Sequence, residues 1–347
     1  MAIKDDQAIK LYAGTRPTGL GRHRSSELID MLIWDAHAGF ELKSIRDLET
    51  LSIWKNSGVN FLSVNVGYDV NVWSDTIKSL SLARDWLTRT DGYRLVGNVA
   101  ELELANSAGD MGIAFDIEGM NALDGSLDMV GFYYGLGVRQ MLFAYNKNNL
   151  AGGGCHDEDT GLTKFGREVV AEMNAVGMVV DCSHCGYRTT MGAMDCSEDP
   201  VVFSHSNAKS LRDHGRNILD EQALRCAERG GVIGVNGISL FVGDDDTTTG
   251  SITDHIEYYL DLVGPSHVGI GLDYFHPLDE APAFSETVSQ NAFYWPVSEY
   301  PATKIRCAAP SQIEEISENL LKRNHNEAVI RGVLGENFWR LAEQVWK

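Results

Sequence analysis

Five apolar runs in the 347-residue chain carry, at or near their ends, a side chain that can hold a cation or move a proton. MLIWDAH (31–37) ends in His37, MGIAFDIE (111–118) in Glu118 and GMVVDCSH (177–184) in His184. PVVFSHS (200–206) carries His205 and HVGIGLDY (267–274) carries Asp273. Imidazole and carboxylate together suit zinc or a similar borderline ion. One carboxylate has two oxygens, so it can bridge two ions that clamp and activate a water between them. A lone histidine at a strand end is ordinarily a hydrogen-bonded core residue. Five ligand-type residues at equivalent places in five distant runs ask for a common reason.

Those residues meet only if their runs lie side by side. Three more runs of the same kind, VNFLSVN (59–65), VRQMLFAY (138–145) and GVIGVNG (231–237), bring the set to eight, and YRLVGNV (93–99) is a further candidate left outside that count. Near-continuous apolarity, without alternation, is what parallel strands buried on both faces require. Helical patterns fill the gaps. They include Leu48 to Trp54, Ile77 to Trp86, 163–176 with Phe165, Val169, Val170 and Met173 on one face, 220–229 and 252–263. Ser311 with Glu314 fits a capping box, and Phe338, Leu341 and Val345 are spaced as one helix face. Eight strand–helix alternations predict a single-domain (β/α)8 TIM barrel with its site at the C-terminal ends of the strands. An open doubly wound sheet would favour a glycine fingerprint after the first run, which DAHAGFE does not supply. Residues 1–30 read as an N-terminal extension packing on the barrel, and 276–308 as an irregular cover or intersubunit element.

Composition narrows the partners. Basic residues number 29 and acidic residues 49, a net charge of 29 − 49 = −20, which repels nucleic-acid backbones and anionic membrane surfaces. No stretch has the uninterrupted apolar length of a membrane span, and MAIKDDQAIKLYAG lacks the apolar core of an export signal. Six cysteines in a chain this long make no disulfide framework, so reduced thiols in a cytoplasm are expected.

The segments DAHAGF, DIEG, GLGVRQ, DCSHCG, PVVFSHSNA, RNILD, DHIEYYLDLVGPSHVGIGLDY and LGENFWR, in this order from about 31 to 341, resemble the membrane (renal-type) dipeptidase family, a metallopeptidase branch of the amidohydrolase superfamily. The resemblance implies one or two zinc ions, with Glu118 as the bridging carboxylate. It implies His184 and His205 as ligands of one ion and His37 as ligand of the other. Asp273 matches the aspartate near the first ion that moves a proton. Arg216 of RNILD matches the arginine that grips the substrate's free carboxylate, a task its planar fork suits. A homodimer is compatible with the resemblance.

Two positions depart from that pattern. The family's usual first motif is His-x-Asp, but here the chain reads His37–Ala38–Gly39, so one ligand of the first ion is missing. Asp35 matches a position that is not a ligand in the family. Tyr145 stands where the family usually has a substrate-contacting histidine. A tyrosine still donates a hydrogen bond to a carbonyl or oxyanion, so Tyr145 is a candidate for both substrate binding and catalysis. The expected chemistry is hydrolysis of a small dipeptide-like amide by a metal-activated water, with Asp273 moving the proton. The alternatives are a non-peptide amide or lactam as substrate, or a weakened metal- or ligand-binding homologue. Other features read as structural. These are the CSHC around His184, a lone GxG at Gly269–Gly271, His276 in a loop, a solvated acidic loop at His156–Asp159, and a flexible loop with Asn148, Asn149 and Gly152–Gly154.

Overall fold

Runs that are apolar on both faces need neighbours above, below and beside them, and a closed barrel supplies all of these. The computed structural model describes residues 31–39, 42–275, 288–301 and 305–347. It contains nine parallel strands: β1 (Trp34–Ala38), β2 (Phe61–Tyr68), β3 (Tyr93–Leu95), β4 (Met111–Glu118), β5 (Val138–Leu142), β6 (Val179–Asp181), β7 (Val201–Phe203), β8 (Val232–Val235) and β9 (Val268–Ile270). Eight of them close a ring. β2 pairs directly with β4 from Phe61 opposite Gly112, and β1 closes on β9 through Asp35 opposite Ile270. The short β3 stays outside this ring, pairing only with the first residues of β4. Its side chains are half-exposed or exposed, so it lacks the two buried faces of its neighbours.

The expected helices form around the ring. Lys164–Val176 starts at Thr163, whose hydroxyl accepts the Gly166 N–H at 3.0 Å, and stops at Gly177, where φ is +88°. The late helix Ile313–Lys322 begins differently from the capping box that Ser311 and Glu314 suggest. A 3-10 turn led by Pro310 comes first, and the Gln312 side chain accepts the Ala309 N–H at 2.9 Å. The last helix, Asn337–Val345, closes the base of the barrel. Phe338, Leu341 and Val345 pack with Trp34, Phe61, Val179 and Val232, residues that begin their strands. No helix among the described residues is long and apolar enough to cross a membrane.

The strands are shorter than the apolar runs. His37 lies within β1 and Glu118 ends β4, but His184, His205 and Asp273 fall after the last residues of β6, β7 and β9. His184 and Asp273 have left-handed backbones, with φ of +62° and +55°. This conformation costs a non-glycine residue about 1–2 kcal/mol. The chain leaves the sheet at those points and turns the side chains inward over the mouth. Residues 1–30, 40–41, 276–287 and 302–304, and with them His276, lie outside the described residues.

Candidate metal centre

Three of the five strand-end residues converge on one carboxylate oxygen of a fourth. Glu118 Oε1 lies 3.2 Å from His184 Nε2, 3.4 Å from His205 Nε2 and 3.6 Å from His37 Nε2. Asp273 Oδ1 is 3.5 Å from His37 Nε2, and its other oxygen accepts from Asn236 Nδ2 at 3.0 Å. His37, Glu118 and His205 each offer a ligand atom within 4.8 Å of the others. All four of His37, Glu118, His184 and His205 are buried.

The neighbours of each ring decide where its protons sit. His184 Nδ1 is 2.7 Å from Asn146 Oδ1, and the Asn146 amide donates its Nδ2 to the Tyr294 carbonyl at 3.1 Å. The Asn146 oxygen therefore faces the ring, and Nδ1 carries the proton. His205 Nδ1 is 2.7 Å from Ser204 Oγ, which itself donates to Asp181 Oδ2 at 2.5 Å. A hydroxyl whose proton is committed to a carboxylate can only accept, so His205 Nδ1 is also the protonated nitrogen. Both Nε2 atoms then present lone pairs, and they face each other at 3.0 Å. Burial holds both imidazoles well below their ordinary value of 6.5, with the Arg216 charge adding to the effect. Two buried lone pairs at this separation repel unless a cation lies between them.

The other side of the centre is built differently. His37 Nδ1 is 3.2 Å from Asp116 Oδ1, and Asp116 is held by Ser63 Oγ at 2.6 Å and Asn65 Nδ2 at 3.1 Å. Burial alone would lower the His37 pKa, but the Asp116 and Glu118 carboxylates keep it well above its ordinary value. Burial pushes Glu118 up to about 8 against the opposing pull of His37, with Asp273 adding to the rise. His37 Nε2 and Glu118 Oε1 have no hydrogen-bond partner. Orphaned buried polar atoms cost about 1–3 kcal/mol each. Facing lone pairs, orphaned donor-set atoms and an N/O ligand chemistry all fit a zinc ion.

Gly39 sits beside this second side. A Cβ built on it would lie 3.0 Å from Asp273 Oδ1 and 3.7 Å from Phe275 Cβ, so the side chain absent there would point at the centre. Arg216 is buried at the edge of the centre and donates through Nη2 to the His205 carbonyl at 3.3 Å, while its Nε has no hydrogen-bond partner. The Tyr145 ring stacks on His184 at 4.1 Å and meets Trp295 edge-on at 5.7 Å. Burial first, then the Glu118 charge, raises the Tyr145 hydroxyl well above its usual 10, so it remains a neutral donor.

With this geometry in place, the likeness to known proteins is specific. The profile described as membrane dipeptidase (peptidase family M19) matches residues 73–291. The chain belongs to the membrane dipeptidase family. An uncharacterised dipeptidase of Schizosaccharomyces pombe is 31% identical over 301 residues, covering 83% of this chain and 65% of the relative. The chain spans between 44% and 65% of the curated relatives it matches. An amidohydrolase from Pseudomonas aeruginosa superposes with a TM-score of 0.81 at 27% identity, over 91% of this chain and 97% of the other. A metallo peptidase from Rhodobacter sphaeroides, liganded with a phosphinate mimic of the dipeptide L-Ala-D-Ala, shares the fold at a TM-score of 0.74 and 18% identity. That match covers 91% of this chain and all of the other, 100%.

Some sequence readings change, and others hold: the CSHC cysteines and the GxG are structural, and Asp35 is held by hydrogen bonds. His156 is not solvated. It is half-buried, with Nε2 3.1 Å from the Tyr300 hydroxyl and its ring edge-on to His214, and burial pushes its pKa down to about 3. Asp159 accepts from the Gly161 and Arg188 N–H groups, so it shapes a loop instead of facing water. The loop with Asn148 and Asn149 is firmly bonded: Asn149 Nδ2 reaches Asp69 Oδ2 at 2.8 Å and its Oδ1 accepts the Ala151 N–H at 2.8 Å. Gly154 is required there because a Cβ would lie 2.1 Å from the Asn146 carbonyl carbon. Cys182 and Cys185 are buried free thiols pushed above their usual range by burial. The GxG is packing, since a Cβ on Gly271 would meet the Ser204 carbonyl oxygen at 1.9 Å. Asp35 accepts from Trp54 Nε1 and from the Leu272 N–H, each at 2.9 Å, and so ties β1 to β9.

The residues sequence reasoning missed are Asp116, Asp181, Ser204, Asn146 and Asp69. Three of them are carboxylates within or just after apolar runs, which is itself a signal, because buried carboxylates are rare without a partner. Asp69 lies just past the end of β2 and accepts from the Asn121 N–H at 2.9 Å, the Tyr145 N–H at 3.1 Å and Asn149. Burial raises it to about 7, and it binds three strand ends together behind the centre.

Proposed function

We propose that the protein is a zinc-dependent dipeptidase, hydrolysing the amide bond of a dipeptide or similar small amide that carries a free carboxylate. The observation that carries this reading is the pair of inward lone pairs on His184 and His205, 3.0 Å apart beside Glu118 Oε1. These three side chains would hold one zinc ion. His37 and Asp273 would hold a second, more weakly because Gly39 brings no ligand, with Glu118 as the bridge. Zinc bound there supplies a water acidified towards ~7 and a Lewis acid for the carbonyl.

The chain's own residues account for the rest. Arg216, with a buried Nε free of hydrogen bonds, receives the substrate carboxylate. Tyr145 donates its hydroxyl to the oxygen on which charge develops. Asp273, oriented by Asn236, accepts a proton and delivers it to the leaving amine.

The test is zinc content per chain together with turnover on a dipeptide panel that includes D-residues at the C-terminal position. Hydrolysis that depends on zinc and disappears in His205→Ala supports the reading. Retained turnover in that variant contradicts it. Tyr145 favours a second reading, hydrolysis of a non-peptide amide or lactam, because a neutral phenol replaces a titratable imidazole at the substrate's side of His184. Zinc bound with no turnover on any dipeptide would select it.

A further inference from the structure

Asn146 is fully buried and left-handed, with φ of +62°, and belongs to no strand or helix. Its amide faces two ways. The oxygen accepts from His184 Nδ1 at 2.7 Å, and the nitrogen donates to the Tyr294 carbonyl at 3.1 Å. Tyr294 lies in residues 288–301, which pack over the centre. Its hydroxyl donates to the Asp69 carbonyl at 2.8 Å, Trp295 meets the Tyr145 ring, and the Tyr300 hydroxyl pairs with His156. The carbonyl of a segment lying over the mouth therefore fixes which end of the Asn146 amide faces a ring of the metal centre. The Cys155 thiol, 3.4 Å from the same oxygen, is a weak further donor to it, so if that segment lifts, the amide loses the stronger of the two partners that tell its oxygen from its nitrogen. A rotated amide would aim N–H donors at His184 Nδ1 and drive that ring's proton to Nε2, the atom that must stay bare for a cation.

We infer that Asn146 is a positioning residue that couples the hold on zinc at His184 to the seating of residues 288–301 over the site. This inference rests on the zinc reading above. It adds that zinc and the covering segment stabilise each other, because coupling between two sites is reciprocal. Partners of metal-ligating histidines typically carry about ten- to a hundredfold in metal affinity.

The full chain tests it through zinc affinity, measured by competition with a chromophoric chelator, and hydrogen exchange of peptides covering 288–301 with and without zinc. Two substitutions tolerate the left-handed backbone. Asn146→Gly removes the contacts to His184, Tyr294 and Cys155 and is expected to bind zinc about tenfold or more weakly. Asn146→Asp keeps an acceptor for His184 but turns an oxygen towards the Tyr294 carbonyl. It is expected to keep zinc affinity and to exchange faster in 288–301. In the natural protein zinc is expected to slow that exchange. Exchange indifferent to zinc in the natural protein, or unchanged zinc affinity in a folded Asn146→Gly, overturns the coupling while leaving the zinc site standing. A natural protein that binds no zinc overturns the zinc reading itself.

Discussion

The two sides of the centre share Glu118 but are finished to different degrees. On one side, His184 and His205 each have a fixed tautomer, set by Asn146 and by the Ser204–Asp181 pair, and their lone pairs converge. On the other, His37 is braced by the Asp116 carboxylate, and the position facing Asp273 is a glycine with no side chain to offer. On the first side both Nδ1 protons are committed to outer partners, which leaves the two Nε2 lone pairs facing each other beside Glu118. The second has a charged brace and one ligand fewer. On the proposed reading the same barrel mouth combines a complete ion site with an incomplete one, and the difference lies in the outer partners as much as in the ligands.

The largest expected effect comes from the complete side. His205→Ala should lower zinc affinity by more than about a hundredfold and abolish turnover, measured by metal analysis after dialysis. Ser204→Ala should cost about ten- to a hundredfold in the tight zinc equivalent through the freed tautomer of His205, whereas Asp116→Asn should weaken only the second equivalent. If both variants act on the same equivalent, the two sides are one site. Gly39→Asp should sharpen the incomplete side. Zinc titration should show its second equivalent tightened about tenfold or more, with Asp273 shifting slightly because the new Cβ lies at 3.0 Å from its oxygen. The smallest effect separates the centre from its wall. His156 is held down to about 3 from an ordinary 6.5 by burial, so it is neutral when folded and gains its proton more readily when unfolded. Its contribution is fully present above pH ~6.5 and is lost as the pH falls towards ~3. Thermal unfolding of His156→Gln should therefore lose stability less steeply than the natural protein across that range, at equal zinc loading. Identical slopes would remove His156 from the wall's acid response.

The barrel was legible because its eight closing strands are apolar on both faces, a pattern that survives without knowledge of neighbours. Even the exclusion of 93–99 from the ring follows, since Tyr93, Arg94 and Leu95 present no continuous buried face. His37 and Glu118 were legible as residues of strands. The conformations of His184 and Asp273 were not, because a left-handed turn after a strand leaves no periodic trace. Asn146, Ser204 and Asp181 escaped for a related reason: their roles are hydrogen bonds to residues 38, 1 and 23 positions away, and spacing does not encode which donor meets which acceptor. His156 was misplaced because a histidine among acidic residues reads as solvated, whereas Tyr300 and His214 cover it from distant parts of the chain.

The central claim is that a cation belongs between His184, His205 and Glu118. Anomalous diffraction at the zinc edge from crystals of the full chain tests it most directly. The account predicts a strong peak within bonding distance of both Nε2 atoms and Glu118 Oε1, with any second peak near His37 and Asp273 weaker. A zinc-saturated crystal with no peak there, or with its stronger peak beside His37 and Asp273, would contradict it.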